Sequence, residues 1–148
     1  MTAKPLKTVV LPVVCITLFG VLLLAASFMF YYGFYLFVER FFYAGQTQNV
    51  RIDLLRRLFA VLYGCLYLLL HRIKKWELAK ATLMVGPLGT IIVTIVLSYY
   101  TRMPFALLYT GIFLALVMAF LYIFKKPWYY YYAIAVTLVP ALWYAWPR

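Results

Sequence analysis

Acidic residues are nearly absent from this chain: Glu39, Asp53 and Glu77 are the only three in 148 residues, and histidine occurs once, at His71. No Asp, Glu, Lys or Arg falls in the middle of a long apolar run. The intramembrane carboxylate of a proton-driven pump is therefore missing. A single histidine excludes paired-histidine haem ligation and the usual zinc motifs within one chain, so the sequence implies no metal and no cofactor. Cys15 and Cys65 stand alone in apolar surroundings, where a cysteine behaves as a small hydrophobe. No nucleophile sits beside a base, no glycine-rich loop could cradle a phosphate and no carboxylates are paired, all of which argues against an enzyme.

What is present is hydrophobic and basic. Apolar residues make up 68% of the chain and aromatics 21%, with a mean hydropathy of +0.96; soluble domains are roughly 45 to 50% apolar. This composition predicts an integral membrane protein. Fourteen Lys and Arg against three acids give a net charge of +11. Those cations lie between the apolar runs, where anionic lipid headgroups rather than nucleic acid are the natural partner. The length suits a single transmembrane helical domain over residues 1–148.

Taken in order, a short basic start with Lys4 and Lys7 leads into an uncharged run from Val9 to Val38, thirty residues that as a helix would reach about 45 Å. That exceeds a hydrocarbon core of roughly 30 Å, so the helix must tilt, bend or protrude. Ala25, Ala26 and Ser27 imitate a signal-peptide cleavage site, but apolar sequence continues beyond them, which favours a retained span. The run ends in Phe28, Phe30, Tyr31, Tyr32, Phe34, Tyr35 and Phe37, read as an interfacial aromatic belt. After the polar segment Ala44–Asp53 comes Leu54–Leu70, whose uncharged part, Leu58 to Leu70, is only thirteen residues or about 20 Å. It crosses a bilayer only if Arg56 and Arg57 snorkel to the headgroups.

Charge distribution decides for crossing. With spans at roughly 9–38, 54–70, 81–100, 104–124 and 128–146, Lys4, Lys7, Arg72, Lys74, Lys75, Lys80, Lys125 and Lys126 collect on one side, and Arg40, Arg51, Arg56, Arg57, Arg102 and Arg148 on the other. All seven lysines share the first side, which the positive-inside rule makes cytoplasmic. The expectation is an all-α, polytopic bundle of five spans, four if Leu54–Leu70 does not cross. It would lie in the plasma (inner) membrane with its N-terminus cytoplasmic and its C-terminus outside.

Small residues then mark the packing faces. Thr82, Gly86, Thr90, Thr94 and Ser98 recur at every fourth position, as do Gly111, Ala115 and Ala119 in the fourth span and Ala133, Thr137 and Ala141 in the fifth. Such stripes let helix backbones approach closely, within one chain or between copies. Pro87 and Pro140 each free a carbonyl four residues earlier. Gly86, Pro87 and Gly89 would be the natural place for a helix break of the kind that forms transporter sites, and an ordinary kink is the simpler reading.

One charged constellation stands out. Arg40, Arg51, Arg56, Arg57 and Arg102 share one side with Tyr31, Tyr32, Tyr35, Tyr43, Tyr99 and Tyr100, a surface suited to a lipid phosphate or an acidic partner, or simply to anchoring helix ends. Arg72, Lys74, Lys75 and Lys80 are expected to set topology and to touch anionic lipid. The three acids, at or beyond the ends of spans, are expected to matter less. The expected function is a non-enzymatic accessory or scaffold subunit of an envelope complex, held by a protein partner or by self-association through the small-residue faces. The alternatives are an oligomeric transporter or flippase for a lipid-like or anionic amphipathic substrate, and an immunity protein against a pore-forming toxin.

Overall fold

Each long apolar run folds as one α-helix in the computed structural model, which describes residues 4–42, 52–71 and 76–145, with side chains over 9–42, 52–70 and 76–144. Five helices follow one another: α1 (Lys4–Phe42), α2 (Ile52–His71), α3 (Glu77–Ser98), α4 (Met103–Ile123) and α5 (Trp128–Ala145). No strand occurs among the described residues. The architecture is all-α. At 39 residues α1 is about 58 Å long and carries a further internal proline, the buried Pro12.

Three of these helices, over Val9–Phe42, Glu77–Ser98 and Met103–Ile123, are long and apolar enough to cross a membrane. The expectation of five such spans is met only at this coarser level. Asp53, Arg56 and Arg57 crowd the first turns of α2, and α5 is the shortest helix, 18 residues that open with Trp128 and four tyrosines. Large apolar side chains are nonetheless exposed on every helix, among them Phe19, Leu22, Leu62, Leu69, Leu116 and Val139. Continuous exposed hydrocarbon on this scale belongs against lipid or protein, not water.

Successive helices run in opposite directions. Tyr63 and Tyr67 of α2 lie at the levels of Gly86 and Lys80 of α3, so these two are antiparallel. Gly20 meets Val85, and Leu24 lies against Gly89, which makes α1 parallel to α3; Glu77 bonds Tyr130 and Gly89 faces Thr137, which makes α5 parallel to it as well. The axis of this arrangement is α3, in contact with all four other helices. Of its most apolar stretch 72% is buried, against 22% for α1 and 17% for α4.

Around α3 the core comprises Ile16 and Leu24 from α1, Val85, Leu88 and Ile92 from α3 itself, Leu121 from α4, and Tyr130, Ala133 and Ile134 from α5. Local chemistry sets the helix ends. Pro104 enters α4 in its first turn, where a missing N–H costs nothing. At the other end, Lys125 adopts φ 46° while its N–H bonds the Tyr122 carbonyl at 3.0 Å and the Lys126 N–H bonds that of Leu121 at 2.9 Å. This pair of bonds is a Schellman cap, with lysine at the left-handed position glycine usually takes. It turns the chain back beneath α4 and delivers Lys126 toward the start of α3.

Candidate functional site

The densest polar cluster lies where α3 begins. Trp76 precedes the helix with φ 70°, and Glu77, in the first turn, stands where the helix dipole favours an anion. Its carboxylate draws in three groups from three places in the sequence. Lys80, one turn along α3, reaches Oε1 at 3.0 Å; Lys126, from the α4–α5 turn, reaches Oε2 at 3.1 Å; and the Tyr130 hydroxyl of α5 donates to Oε2 at 2.7 Å. The Lys126 ammonium also lies 5.4 Å from the centre of the Tyr130 ring. From α2, the Tyr67 hydroxyl donates to the Lys80 carbonyl at 3.3 Å. Three helices and the α4–α5 turn thus meet at or next to one acid.

This corrects the expectation for Lys80. Only 5% exposed and ion-paired with Glu77, it is not a headgroup contact. Burying an ammonium is costly without a partner, and Glu77 supplies one. Glu77, one of the three acids expected to matter less for function than the arginines, is in structural terms the hub of this cluster. The other members of the lysine-side set, Arg72, Lys74 and Lys75, lie outside the described residues.

Beside this junction a cleft of about 310 Å³ opens between α2 and α4, with α3 as its floor. Gly64, Tyr67 and Leu68 form one wall, Phe113, Leu116 and Phe120 the other, and Pro87 and Leu88 the base. Tyr67 belongs to both features: its ring lines the cleft, and its hydroxyl bonds Lys80.

The candidate break at Gly86, Pro87 and Gly89 is a correction. The helix is continuous from Glu77 to Ser98, and all three residues are buried within it. Close packing explains the two glycines. A methyl group on Gly86 would stand 2.5 Å from the Tyr63 hydroxyl and 2.8 Å from the Ser27 hydroxyl, and one on Gly89 would collide with Leu24. Those neighbours hold α3 from both sides. Ser27 and Tyr63 also hydrogen-bond each other at 3.0 Å, joining α1 to α2 directly over the glycine.

The stripes separate into two kinds. Thr82, Gly86, Thr90 and Thr94 are buried and Ser98 half-buried on α3, while Ala133, Thr137 and Ala141 are buried on α5. Each threonine donates its hydroxyl to the carbonyl four residues earlier, as Thr90 does to Gly86 (2.8 Å) and Thr137 to Ala133 (2.7 Å). With the hydroxyl satisfied on its own helix, each presents a small, largely apolar surface to its neighbour. Gly111, Ala115 and Ala119, by contrast, are all exposed on α4, and nothing lies within 4 Å of a methyl placed on Gly111. At 100° per residue they fall roughly half a turn from the face that lines the cleft.

The arginines form no common site among the described residues. Arg40, Arg57 and Arg102 are exposed, Arg51 lies outside the described residues, and Arg56 donates to Asp53 on its own helix at 2.6 Å. The aromatic belt is partly packing between helices. Tyr31 and Phe34 of α1 set their rings 5.5 and 5.6 Å from Phe59 of α2. The spacing of Glu77 and Lys80 allows their pairing to be read from the sequence, but no local signal could have brought in Lys126 and Tyr130, which lie 49 and 53 residues away.

No protein-family model, curated protein or solved structure matches this chain.

Proposed function

We propose that this protein is a non-enzymatic accessory or scaffold subunit of a complex in the plasma (inner) membrane, crossing it five times with the lysine-rich end in the cytoplasm, and that it docks its partner through α4. The observation that carries this reading is the contrast between α3 and α4. Both have the hydropathy of a membrane span, yet α4 buries only Ala106, Thr110 and Leu121 and turns its small residues outward. A small-residue face gives a partner helix close access to the backbone, which is how helices associate where lipid removes the hydrophobic drive. The buried faces of α3 and α5 are already occupied within the chain.

Purification in mild detergent tests the reading. A foreign protein should accompany the full chain in fixed stoichiometry, and Gly111→Leu combined with Ala115→Leu should release it without unfolding the bundle. Recovery of a lone monomer, or a partner indifferent to both substitutions, would remove α4 as the docking face. The cleft favours a second reading, a small transporter or flippase for a lipid-like amphiphile. A homodimer enclosing a polar passage would be its signature.

A further inference from the structure

The cleft and the junction beside it form one amphipathic feature. The cleft runs along α4 from Phe113 to Leu121, about 12 Å of helix, with a lining that is almost entirely hydrocarbon. It opens sideways because α2 and α4 each pack on α3 and have no substantial contact with each other. At its lower end the chemistry changes abruptly. The Leu121 carbonyl, on the cleft wall, accepts the Lys126 N–H, and Lys125 stands exposed beside it. Lys80 and Lys126 there share the single carboxylate of Glu77, and Lys125 adds an exposed cation next to Lys126 in the chain, so the charge of the group is positive.

We propose that this cleft holds one acyl chain of an anionic membrane phospholipid, with its phosphate drawn to the Lys125–Lys126 turn. The inference rests on the membrane reading above and deepens it by naming a ligand class. A volume of about 310 Å³ is at the low end for a small-ligand site and far below what a transmembrane helix, some 10 to 12 Å across, would occupy. An apolar slot without directional polar groups suits a hydrocarbon chain. The positive turn at one end supplies what such a slot cannot, a preference for headgroup charge and for chain direction. Tyr67 and Lys80 keep the two parts in register, since Tyr67, which walls the cleft, is bonded to the first turn of α3, where Glu77 holds Lys126.

The test uses the full chain in vesicles made of equal parts phosphatidylethanolamine and phosphatidylglycerol. Flotation first establishes integration; gentle extraction and native mass spectrometry then count the lipids retained. One phosphatidylglycerol should remain per chain, in preference to phosphatidylethanolamine. Gly64→Leu and Leu116→Trp each fill the cleft, at a glycine whose added methyl would meet only Ile91 at 3.5 Å and at a side chain 65% exposed. Each should lower retention about tenfold or more, the factor expected from losing two buried methylene groups. Val139→Trp, at an exposed site on α5, should retain lipid as the unaltered chain does. Lys125→Asn, which tolerates the left-handed backbone, should abolish the headgroup preference while a lipid is still held. Unchanged retention in both cleft variants would overturn the site, as would a polypeptide seated there in place of lipid. Equal retention of the two headgroups by the unaltered chain would overturn the anionic assignment. Failure of the unaltered chain to float would instead overturn the membrane reading itself.

Discussion

Glu77 does the work of several weaker contacts. Its carboxylate takes two ammonium groups and a phenol, and Lys80, the more buried of the two ammonium partners, has no other carboxylate within reach among the described residues. Removing one member of a buried pair costs about 3 to 5 kcal/mol, because the survivor is left charged and poorly solvated. Here the acid side chain is 36% exposed, so water can follow it, and about 1 to 3 kcal/mol is the reasonable expectation for Glu77→Gln. Asp53→Asn, by contrast, removes a carboxylate that is 72% exposed and should cost less than about 0.5 kcal/mol. Thermal denaturation of the two variants in the same detergent checks the pair; equal midpoints would show that the junction contributes nothing to stability.

At the scale of the helix, close approach is the governing quantity. Gly86 lets Ser27 of α1 and Tyr63 of α2 bond over the α3 backbone, and a β-carbon there has no room. Gly86→Ala should therefore destabilise the bundle by about 1 to 3 kcal/mol, as overpacking does in tight cores. Gly111→Ala meets no neighbour and should be neutral or stabilise by up to about 1 kcal/mol through helix propensity. Matching effects in a denaturant titration would contradict the assignment of inner and outer faces. The elements themselves were readable from the sequence: long uncharged runs bounded by cations and turn residues predicted all five helices to within a few residues. The direction of each stripe was not. Four-residue spacing specifies that small groups share a face, and the same spacing serves α3, whose stripe is largely buried, and α4, whose stripe looks outward. Nor was the continuity of α3 through Pro87 decided in advance, since proline in a helix is compatible with a kink or a break, and packing from α1, α2 and α5 is absent from any local pattern.

Among the described residues the bundle has two chemically distinct ends, with Arg40, Arg56, Arg57 and Arg102 at one and Lys80, Lys125 and Lys126 at the other, and the alternating helix directions keep them apart. On the five-span reading the segment around Lys74 and Lys75 faces the cytoplasm while the C-terminus faces out. Single cysteines introduced at Lys75 and at Arg148, in a chain with Cys15 and Cys65 replaced by alanine, should react with an impermeant thiol reagent from opposite sides. Labelling of both from the same side would reduce the crossings to an even number.

The central place of α3 also bears on the order in which the molecule can come together. Contacts between α1 and α2 are sparse, and most of what each of them buries is buried against α3. A ribosome delivers the first two helices before their common support exists. They therefore emerge as near strangers, with the glycine-lined surface that unites them still unmade. Only the emergence of α3 turns a loose pair into a framework, and the Glu77 carboxylate waits longer still, until residues 126 to 130 arrive to close around it. A pause in synthesis just ahead of residue 77 would thus leave two helices without the surface on which both pack.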